Sequence, residues 1–281
     1  MNYRHAFHAG NHADVLKHVV LLALLDALLR KDTPCFVLDT HAGRGRYLLQ
    51  DGDASRTGEA AAGILRLTGL ADPPPALARY LAAAAAELPH YPGSPLLAAR
   101  ALRGHDRLAA CELQAEEAAA LRSLFAGDPR VAVHARDGYG AVRALLPPRV
   151  DGTRYARGLV LVDPPYEAQE AEYPLVVEAM REALQRWPQA TCAIWYPIKR
   201  RRSLQPFLRG LEQLPVRTLL LAELLIRADD SPLRLNGSGM AVLNPPWKLE
   251  EALAPVLPVL QARLGEAGAS TRLEWLKRDP G

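Results

Sequence analysis

The stretch from Leu159 to Tyr166 constrains the fold of this chain more than any other. Four consecutive apolar residues, 159–162, are followed by Asp163, two prolines and Tyr166. A short apolar run bounded by glycine and proline is typical of a strand that is buried on both faces. Because prolines lack the N–H group that a sheet ladder needs, the chain is expected to leave the sheet at Asp163. In an open parallel sheet this exit lies at the carboxyl edge, where ligands bind.

The residues at this exit suit a planar group that carries an amino substituent. The carboxylate of Asp163 and the carbonyl of Pro164 can accept the two amino hydrogens, and the ring of Tyr166 can stack on the plane. The four residues resemble the Asp-Pro-Pro-Tyr motif of S-adenosylmethionine-dependent amino-methyltransferases, which methylate exocyclic nitrogens of adenine or cytosine. A turn that merely ends a strand can contain the same residues, so the rest of the chain must decide between the two interpretations.

Apolar runs recur along the chain with helical segments between them. The predicted strands are 35–39, 108–112, 131–134, 159–162, 191–195, 217–225 and 240–243. The predicted helices are 13–30, 60–67, 76–88, 95–102, 114–125, 139–146, 173–187, 204–211 and 249–264. Seven strands that alternate with helices indicate an α/β protein with a mostly parallel sheet covered on both faces. Asn11 is expected to cap the first helix.

Residues 47–106 interrupt this alternation. They are rich in alanine and leucine, contain a triple proline at 73–75 and show no convincing strand pattern. We therefore predict an inserted helical subdomain here, with the core formed by residues 1–46 and 107–281. Ser94 is predicted to cap a helix at the end of the insertion, since the following Pro95 suits the first helical position.

Composition places the chain among soluble globular proteins. Of its 281 residues, 49% are apolar and 23% charged, and the net charge of +3 permits a nucleic-acid partner without requiring one. The three cysteines form no C-x-x-C pair and fall in or beside predicted strands, which indicates buried, reduced thiols. The polar, His-rich start is unlike a signal peptide, and no apolar stretch is long enough to span a bilayer, so a cytoplasmic location is expected.

An acidic residue lies at or beside the end of each of the first four predicted strands: Asp39, Glu112, Asp137 and Asp163. Carboxylates at buried strand ends are costly unless they meet a ligand or a partner. S-adenosylmethionine offers suitable groups, because its ribose hydroxyls can donate to Glu112 and its adenine amino group to Asp137. Its ammonium group can approach the turn after the first strand, where His41 lies.

That turn contains Gly43 and Gly45, which permit positive φ angles and a close approach of the backbone to a ligand. An acid at a strand end followed by G-x-G resembles the first cofactor motif of methyltransferases. It is not the dinucleotide fingerprint, because Leu48 stands at the third glycine position, and it is not a phosphate loop, because no G-K-[ST] follows.

Several blocks together resemble the bacterial 23S ribosomal RNA adenine-N6 methyltransferases of the RlmJ type. The matching blocks are residues 3–18, 39–43, 91–95, 163–166 and 244–248. The resemblance implies a Rossmann-like class I methyltransferase core with an inserted helical subdomain. It further implies S-adenosylmethionine as the cofactor and no metal. The implied partner is 23S ribosomal RNA, which a monomeric enzyme would methylate before the ribosome is fully assembled, with N6 of adenine 2030 as the target.

The same resemblance implies roles for individual residues. Cofactor contacts would fall on His18, His41, Ser94, Glu112, Asp137, Gly138 and Asp163. Asp163 would be the catalytic acid–base residue, helped by Pro164 and Tyr166, and the RNA contacts would include Tyr3, Arg4 and Lys17.

Three further patterns have a structural and a functional interpretation. Asn244-Pro245-Pro246-Trp247 resembles the Asn-Pro-Pro form of the same motif, but it follows the seventh strand, so we interpret it as a strand exit. The basic run 199–202, together with Arg44 and Arg46, can contact RNA phosphates or form a solvated charge cluster. His5, His8 and His12 lack the spacing of a metal site.

The rival functions are a DNA adenine-N6 methyltransferase, a non-catalytic RNA-binding protein and a methyltransferase acting on small molecules or proteins. For the favoured reaction we expect a direct in-line displacement without an enzyme nucleophile, in which Asp163 and the Pro164 carbonyl orient the amino nitrogen. The target adenine would leave its stack and lie on Tyr166.

Overall fold

The chain folds around an eight-stranded, mostly parallel sheet. The computed structural model describes residues 8–49, 58–166, 169–232 and 235–279. The strands are β1 (Cys35–Asp39), β2 (Arg46–Leu48), β3 (His90–Pro92), β4 (Arg107–Glu112), β5 (Val131–Ala135), β6 (Arg149–Val150), β7 (Thr153–Arg154), β8 (Arg157–Val162), β9 (Thr191–Ile198), β10 (Leu219–Leu225), β11 (Gly237–Leu243) and β12 (Ser270–Lys277). The α-helices are α1 (His12–Leu28), α2 (Glu59–Ala62), α3 (Pro75–Ala85), α4 (Ser94–Ala101), α5 (Ala115–Leu124), α6 (Gly138–Leu145), α7 (Gln169–Arg186), α8 (Gln205–Glu212), α9 (Leu249–Leu253) and α10 (Val256–Leu264), and 3-10 turns span Ile64–Leu67 and Arg201–Leu204.

The strand order of the main sheet is β5-β4-β1-β8-β9-β11-β10-β12. The five strands from β5 to β9 are parallel neighbours, whereas β11 is antiparallel to β9 and β10, and β12 is antiparallel to β10. The chain moves from β1 to β4 and β5 on one side, then returns to β8 on the other. The carboxyl ends of β1 and β8 therefore form the topological switch point at which α/β sheets bind ligands.

All seven predicted strands are confirmed in the main sheet, whose eighth strand, β12, was not predicted. Residues 270–277 begin with three consecutive polar side chains, contain no continuous apolar run, and are all at least partly exposed. The strand lies at the edge of the sheet and pairs with β10 alone. Its charged and polar side chains resemble those of a solvated tail. The predicted helix 249–264 is two helices, because Pro255 interrupts it between α9 and α10.

Helix α1 is buried almost all round. Asn11 caps it as predicted, since its side-chain oxygen accepts hydrogen bonds from the backbone N–H groups of Ala13 (2.9 Å) and Asp14 (3.0 Å). The helix packs against β11, α3 and α4, and residues 13–25 are all buried. Its polar residues Lys17 and His18 are consequently held inside the protein next to the carboxyl edge of the sheet.

The insertion contains a small antiparallel ribbon in addition to its helices. Strand β2 pairs with β3, with Tyr47 opposite Tyr91, so the prediction that residues 47–106 hold no strand was wrong. Three-residue strands are too short to show an alternating pattern. Buried side chains of α3, including Leu77 and Tyr80, belong to the same apolar core as those of α1. The domain boundaries at 46 and 107 stay a prediction.

The three cysteines lie inside the sheet region as predicted. Cys35, Cys111 and Cys192 are all buried free thiols. Burial raises the pKa of each to about 12, which makes them unreactive side chains of the core. None of the helices within the described ranges is long and apolar enough to cross a membrane.

Candidate active site

A cavity of about 300 Å³ opens at the switch point between β1 and β8. The seven residues predicted to contact the cofactor all line it: His18, His41, Ser94, Glu112, Asp137, Gly138 and Asp163. They come from α1, the exits of four strands and the start of α4. The sequence placed them far apart, with His18 and Asp163 separated by more than half of the chain. The parallel sheet brings them together because the carboxyl ends of its strands share one edge.

Asp163 forms a buried ion pair at the centre of this edge. Its Oδ2 atom accepts a hydrogen bond of 2.6 Å from Nζ of Lys17, which also lies 2.8 Å from Oδ1 of Asp14. Burial favours the neutral form of Lys17, but the two carboxylates outweigh this effect and raise its pKa well above the ordinary value. Lys17 is therefore a permanent cation held between two anions, and it orients the carboxylate of Asp163.

Asp39 lies beneath the cavity rather than in its wall. Its carboxylate is almost completely buried and accepts a hydrogen bond of 2.7 Å from the hydroxyl of Ser94. Burial raises the pKa of Asp39 to about 7, although the hydrogen bond from Ser94 opposes this shift. The prediction that Ser94 caps α4 was wrong: the cap position is Gly93, and Ser94 is the first helical residue. The Ser94 hydroxyl therefore donates its hydrogen bond to the buried carboxylate of Asp39.

His41 is held as a neutral imidazole. Burial lowers its pKa to about 4, so it carries no charge near neutral pH. The hydroxyl of Thr40 donates to the carbonyl of Leu161 and lies 2.8 Å from Nδ1 of His41. Since that hydroxyl has only one hydrogen, it must accept from Nδ1–H, which leaves Nε2 as a hydrogen-bond acceptor.

Glu112 lies at the end of β4 and braces the glycine turn. Its two carboxylate oxygens accept hydrogen bonds from the backbone N–H of Gly43 (2.9 Å) and of Gln114 (2.7 Å). Burial raises its pKa, while these backbone contacts oppose the shift. Gly43 adopts a φ of +60°, in agreement with the predicted need for glycine in this turn. An ionised carboxylate has about four acceptor positions, so Glu112 retains capacity for a ligand.

Asp137 and Gly138 form the wall that α6 contributes. Asp137 caps the helix, accepting hydrogen bonds from the N–H groups of Tyr139 (3.4 Å) and Gly140 (2.6 Å). A Cβ atom on Gly138 would lie 2.2 Å from the carbonyl oxygen of Thr40, so only glycine fits here. This contact closes the exits of β1 and β5 against each other.

A buried polar chain connects α1 with the insertion. The Nδ1 atom of His18 lies 2.8 Å from the hydroxyl of Tyr91, which lies 2.9 Å from the hydroxyl of Tyr80. All three side chains are fully buried, and burial raises the pKa of both tyrosines. The chain fixes the position of His18 in the cavity wall. No local pattern indicated this polar chain, because each tyrosine resembles an ordinary core residue.

Further residues in the wall were missed. Tyr139 lines the cavity, packs edge-on against His41 and donates a hydrogen bond of 2.6 Å to Glu172. Its position directly after Gly138 was the available signal. Arg44, considered for RNA contact, instead forms two hydrogen bonds to Glu117 in the same wall.

A second cavity of about 500 Å³ shares three lining residues with the first: Lys17, Asp163 and Pro165. Tyr166 lines this second cavity, whereas Pro164 lines the first. Tyr166 has a φ of +49°, and its hydroxyl donates a hydrogen bond of 2.8 Å to the carbonyl of Trp195. The strand exit therefore lies between two cavities, with the acid facing both.

The second Pro-Pro sequence is remote from the site, in agreement with its interpretation as a strand exit. Because β11 is antiparallel to β9, with Leu243 opposite Cys192, residue 244 lies at the amino edge of β8 and β9. Asn244 donates to the carbonyls of Pro188 and Ala190. Tyr3 and Arg4, predicted to contact RNA, lie outside the described residues.

Taken together, the strand order and the acidic switch point define a Rossmann-like methyltransferase. The sequence model described as "Ribosomal RNA large subunit methyltransferase D, RlmJ" matches residues 32–277. Two proteins named "Ribosomal RNA large subunit methyltransferase J", from Haemophilus influenzae and Escherichia coli K12, are 42% and 40% identical to this chain. Each match covers 98% of this chain and 99% of the relative. The chain belongs to this RlmJ family of ribosomal RNA large subunit methyltransferases.

The fold also matches a solved structure closely. A Legionella pneumophila protein known from a crystal structure superimposes with a TM-score of 0.82 at 31% identity. The match covers 95% of this chain and 98% of that protein, so it includes the insertion as well as the sheet.

Proposed function

We propose that this protein transfers a methyl group from S-adenosylmethionine to N6 of one adenine in 23S ribosomal RNA, with adenine 2030 as the target implied by the resemblance. The observation that carries the proposal is the position of Asp163 between two cavities. A methyl donor and an acceptor base need separate compartments that meet at the reacting atoms. The pair of Lys17 and Asp163 lies at that junction.

The first cavity fits S-adenosylmethionine by the chemistry of its walls. Glu112 would hold the ribose hydroxyls, and Asp137 with the backbone of Gly138 would hold the adenine ring. The neutral His41 would accept a hydrogen bond from the ammonium group, where a charged imidazole would repel it. When bound, the cofactor supplies an electrophilic methyl group.

The second cavity is proposed to receive the target adenine. Its N6 atom is a weak nucleophile because its lone pair is delocalised into the ring. Since Lys17 occupies Oδ2 of Asp163, we assign Oδ1 and the carbonyl of Pro164 as acceptors for the two amino hydrogens. These contacts aim the lone pair at the first cavity, and such positioning can supply about 7–11 kcal/mol of a barrier.

Asp163 also provides the route for the proton that the methylated nitrogen releases. The methylated nitrogen is acidic, so a carboxylate suffices as the acceptor, and the partial exposure of Asp163 (14%) lets the proton pass to water. The ring of Tyr166 would stack on the adenine. Removing the base from its helix costs a few kcal/mol, which this stacking offsets in part.

The proposal is tested by transfer of labelled methyl from S-adenosylmethionine to protein-free 23S RNA. The unmodified protein should label N6 of one adenine, Asp163→Ala should not, and Glu116→Ala, an exposed acid on α5, should retain full activity. Duplex DNA and assembled large subunits serve as competing substrates. Label on DNA alone would establish the rival DNA adenine methyltransferase, and full activity of Asp163→Ala would overturn the mechanism.

A further inference from the structure

Four consecutive cations, residues 199–202, leave the sheet directly after β9 and differ sharply in their surroundings. Arg201 points inward: its Nε donates a hydrogen bond of 3.0 Å to Glu223, which is fully buried, and its backbone N–H donates to Asp229. Glu223 also accepts a hydrogen bond of 2.9 Å from the hydroxyl of Tyr196. Arg201 is thus a structural residue that fixes the loop to the sheet.

The other three cations of this run, Lys199, Arg200 and Arg202, are exposed. None of them forms an ion pair with another residue in the ranges that the structure describes. Two partly exposed arginines near this loop do have partners, Arg227 with Glu266 and Arg181 with Glu178. The loop therefore presents three positive charges that no nearby carboxylate of the described chain neutralises.

These three side chains line one wall of an open groove between α7 and the loop that leads into α8. Two acids also line the groove, Glu170 and Glu178, and Arg181 neutralises the latter. The net charge of the side chains that line the groove remains positive. Its floor is firm, because Tyr173 and Phe207 stack there with ring centroids 4.5 Å apart.

The groove continues into the candidate active site. Lys199 lines both the groove and the second cavity, in which Asp163 and Tyr166 lie. A strand whose base enters that cavity must run its backbone across the cavity mouth. The neighbouring phosphates would then meet Lys199 first and the two arginines beyond it.

We infer that this groove holds the ribose-phosphate backbone of the RNA strand next to the target adenine, with Lys199, Arg200 and Arg202 on its phosphates. The inference rests on the proposed function, because it takes the second cavity as the place of the target base. Contacts of this kind release counterions from RNA, so they strengthen binding and make it depend on salt.

The test compares the triple variant Lys199→Gln, Arg200→Gln, Arg202→Gln with a control that loses the same charge elsewhere. Arg30, Arg149 and Arg154 are exposed and lie at the amino edge of the sheet, before β1 and β8. The control variant changes these three to glutamine. Binding of a 23S RNA fragment is measured by filter retention at several salt concentrations, together with KM and kcat for methyl transfer.

For the groove variant, the slope of log K against log salt should become shallower by about 2, at roughly 0.7 for each of three phosphates of a single strand. KM for RNA should rise while kcat at saturating RNA changes less than about twofold, since none of the three residues touches Asp163. The control should keep the slope of the unmodified protein. Equal slopes for the two variants would overturn the inference. Failure of the unmodified protein to methylate RNA would instead contradict the proposed function. The two failures are distinguishable, because the salt dependence of binding is measured without methyl transfer.

Discussion

The Nζ atom of Lys17 lies 2.6 Å from Oδ2 of Asp163, although the two residues are 146 positions apart in the chain. This contact fastens the first helix to the strand exit that the proposed chemistry uses. Asp14, one turn earlier on the same helix, shares the cation and also accepts a hydrogen bond from the backbone of Gly10. The triad therefore has both a structural and a functional consequence, which mutation can separate.

Replacing Lys17 by methionine should lower the free energy of unfolding by about 3–5 kcal/mol, because the buried carboxylate of Asp14 and the mostly buried one of Asp163 lose their shared cation. The double variant Asp14→Asn, Lys17→Met should recover part of that loss, since it removes one of the uncompensated charges. Both variants should be inactive because Asp163 is no longer oriented. Urea denaturation and single-turnover methyl transfer measure the two effects. An active double variant would show that Lys17 serves stability alone.

The role of Tyr166 in methyl transfer should depend on its aromatic ring more than on its hydroxyl group. Tyr166→Phe removes the hydrogen bond to the Trp195 carbonyl, at a cost of about 1 kcal/mol of stability, and should keep most of the activity. Tyr166→Ala removes the stacking surface, which is worth roughly 1–3 kcal/mol per base. KM for RNA should then rise by about 5- to 150-fold while cofactor affinity stays unchanged. Equal kinetics for the two variants would contradict a stacking role.

Gly138 should tolerate no side chain. In Gly138→Ala the new methyl group would meet the Thr40 carbonyl at 2.2 Å, so α6 would have to move away from β1. Such overpacking costs about 1–3 kcal/mol of stability, and cofactor affinity should fall with it. Gly104→Ala is the matched control, because a Cβ atom there would meet nothing within 4 Å. Thermal unfolding and calorimetric titration of both variants decide the matter.

The main features of the fold could be predicted from the sequence because they follow local patterns. Buried parallel strands give continuous apolar runs, and each predicted run became a strand of the sheet. Strand β12 was not predicted, because it lies at the edge of the sheet and its side chains are partly exposed, so its sequence resembles a charged tail. The ribbon of β2 and β3 was not predicted, because a three-residue strand is too short to show an alternating apolar pattern.

Only those residues of the candidate site that lie at strand ends could be recognised from the sequence pattern. An acid that ends an apolar run is visible in the sequence, and Glu112, Asp137 and Asp163 all line the cavity. The partners of these acids depend on tertiary packing. Asp14 and Lys17 resemble an ordinary surface ion pair one turn apart, and only the docking of α1 shows that Asp163 completes the triad. Ser94 resembled a cap because a cap and a donor to a buried carboxylate have the same local sequence.

Glu112 should control cofactor affinity. Glu112→Gln keeps one oxygen as acceptor for the backbone N–H groups of Gly43 and Gln114, but it loses the charge that strengthens hydrogen bonds from ribose hydroxyls. A hydrogen bond to a charged group contributes about 1.5–3 kcal/mol and a neutral one about 0.5–1.5 kcal/mol, so the Kd for S-adenosylmethionine should rise by about 5- to 10-fold. Glu116→Gln, an exposed acid four residues further on, controls for the change in net charge. Calorimetric titration that gave the same Kd for both variants would remove Glu112 from the cofactor site.

Asp39 should make the stability of the protein depend on pH. Its pKa is raised to about 7 by burial in the folded state, against about 3.9 for an unfolded aspartate. Between these values the folded protein holds a proton that the unfolded chain has released. The unfolded state therefore binds fewer protons, and stability falls as pH rises through this window. The contribution is fully present below pH about 4 and is lost above pH about 7.

Asp39→Asn removes this titration and still offers an oxygen to the hydroxyl of Ser94. The difference in unfolding free energy between the variant and the unmodified protein should grow in favour of the variant from pH 5 to pH 8, by on the order of 3 kcal/mol at most. Asp230→Asn, at an exposed position, is the control for the same chemical change. Urea unfolding at four pH values measures both. A difference for Asp39→Asn that stays constant from pH 5 to 8 would mean that the folded protein keeps this buried carboxylate ionised, held by Ser94 and by the backbone of His41.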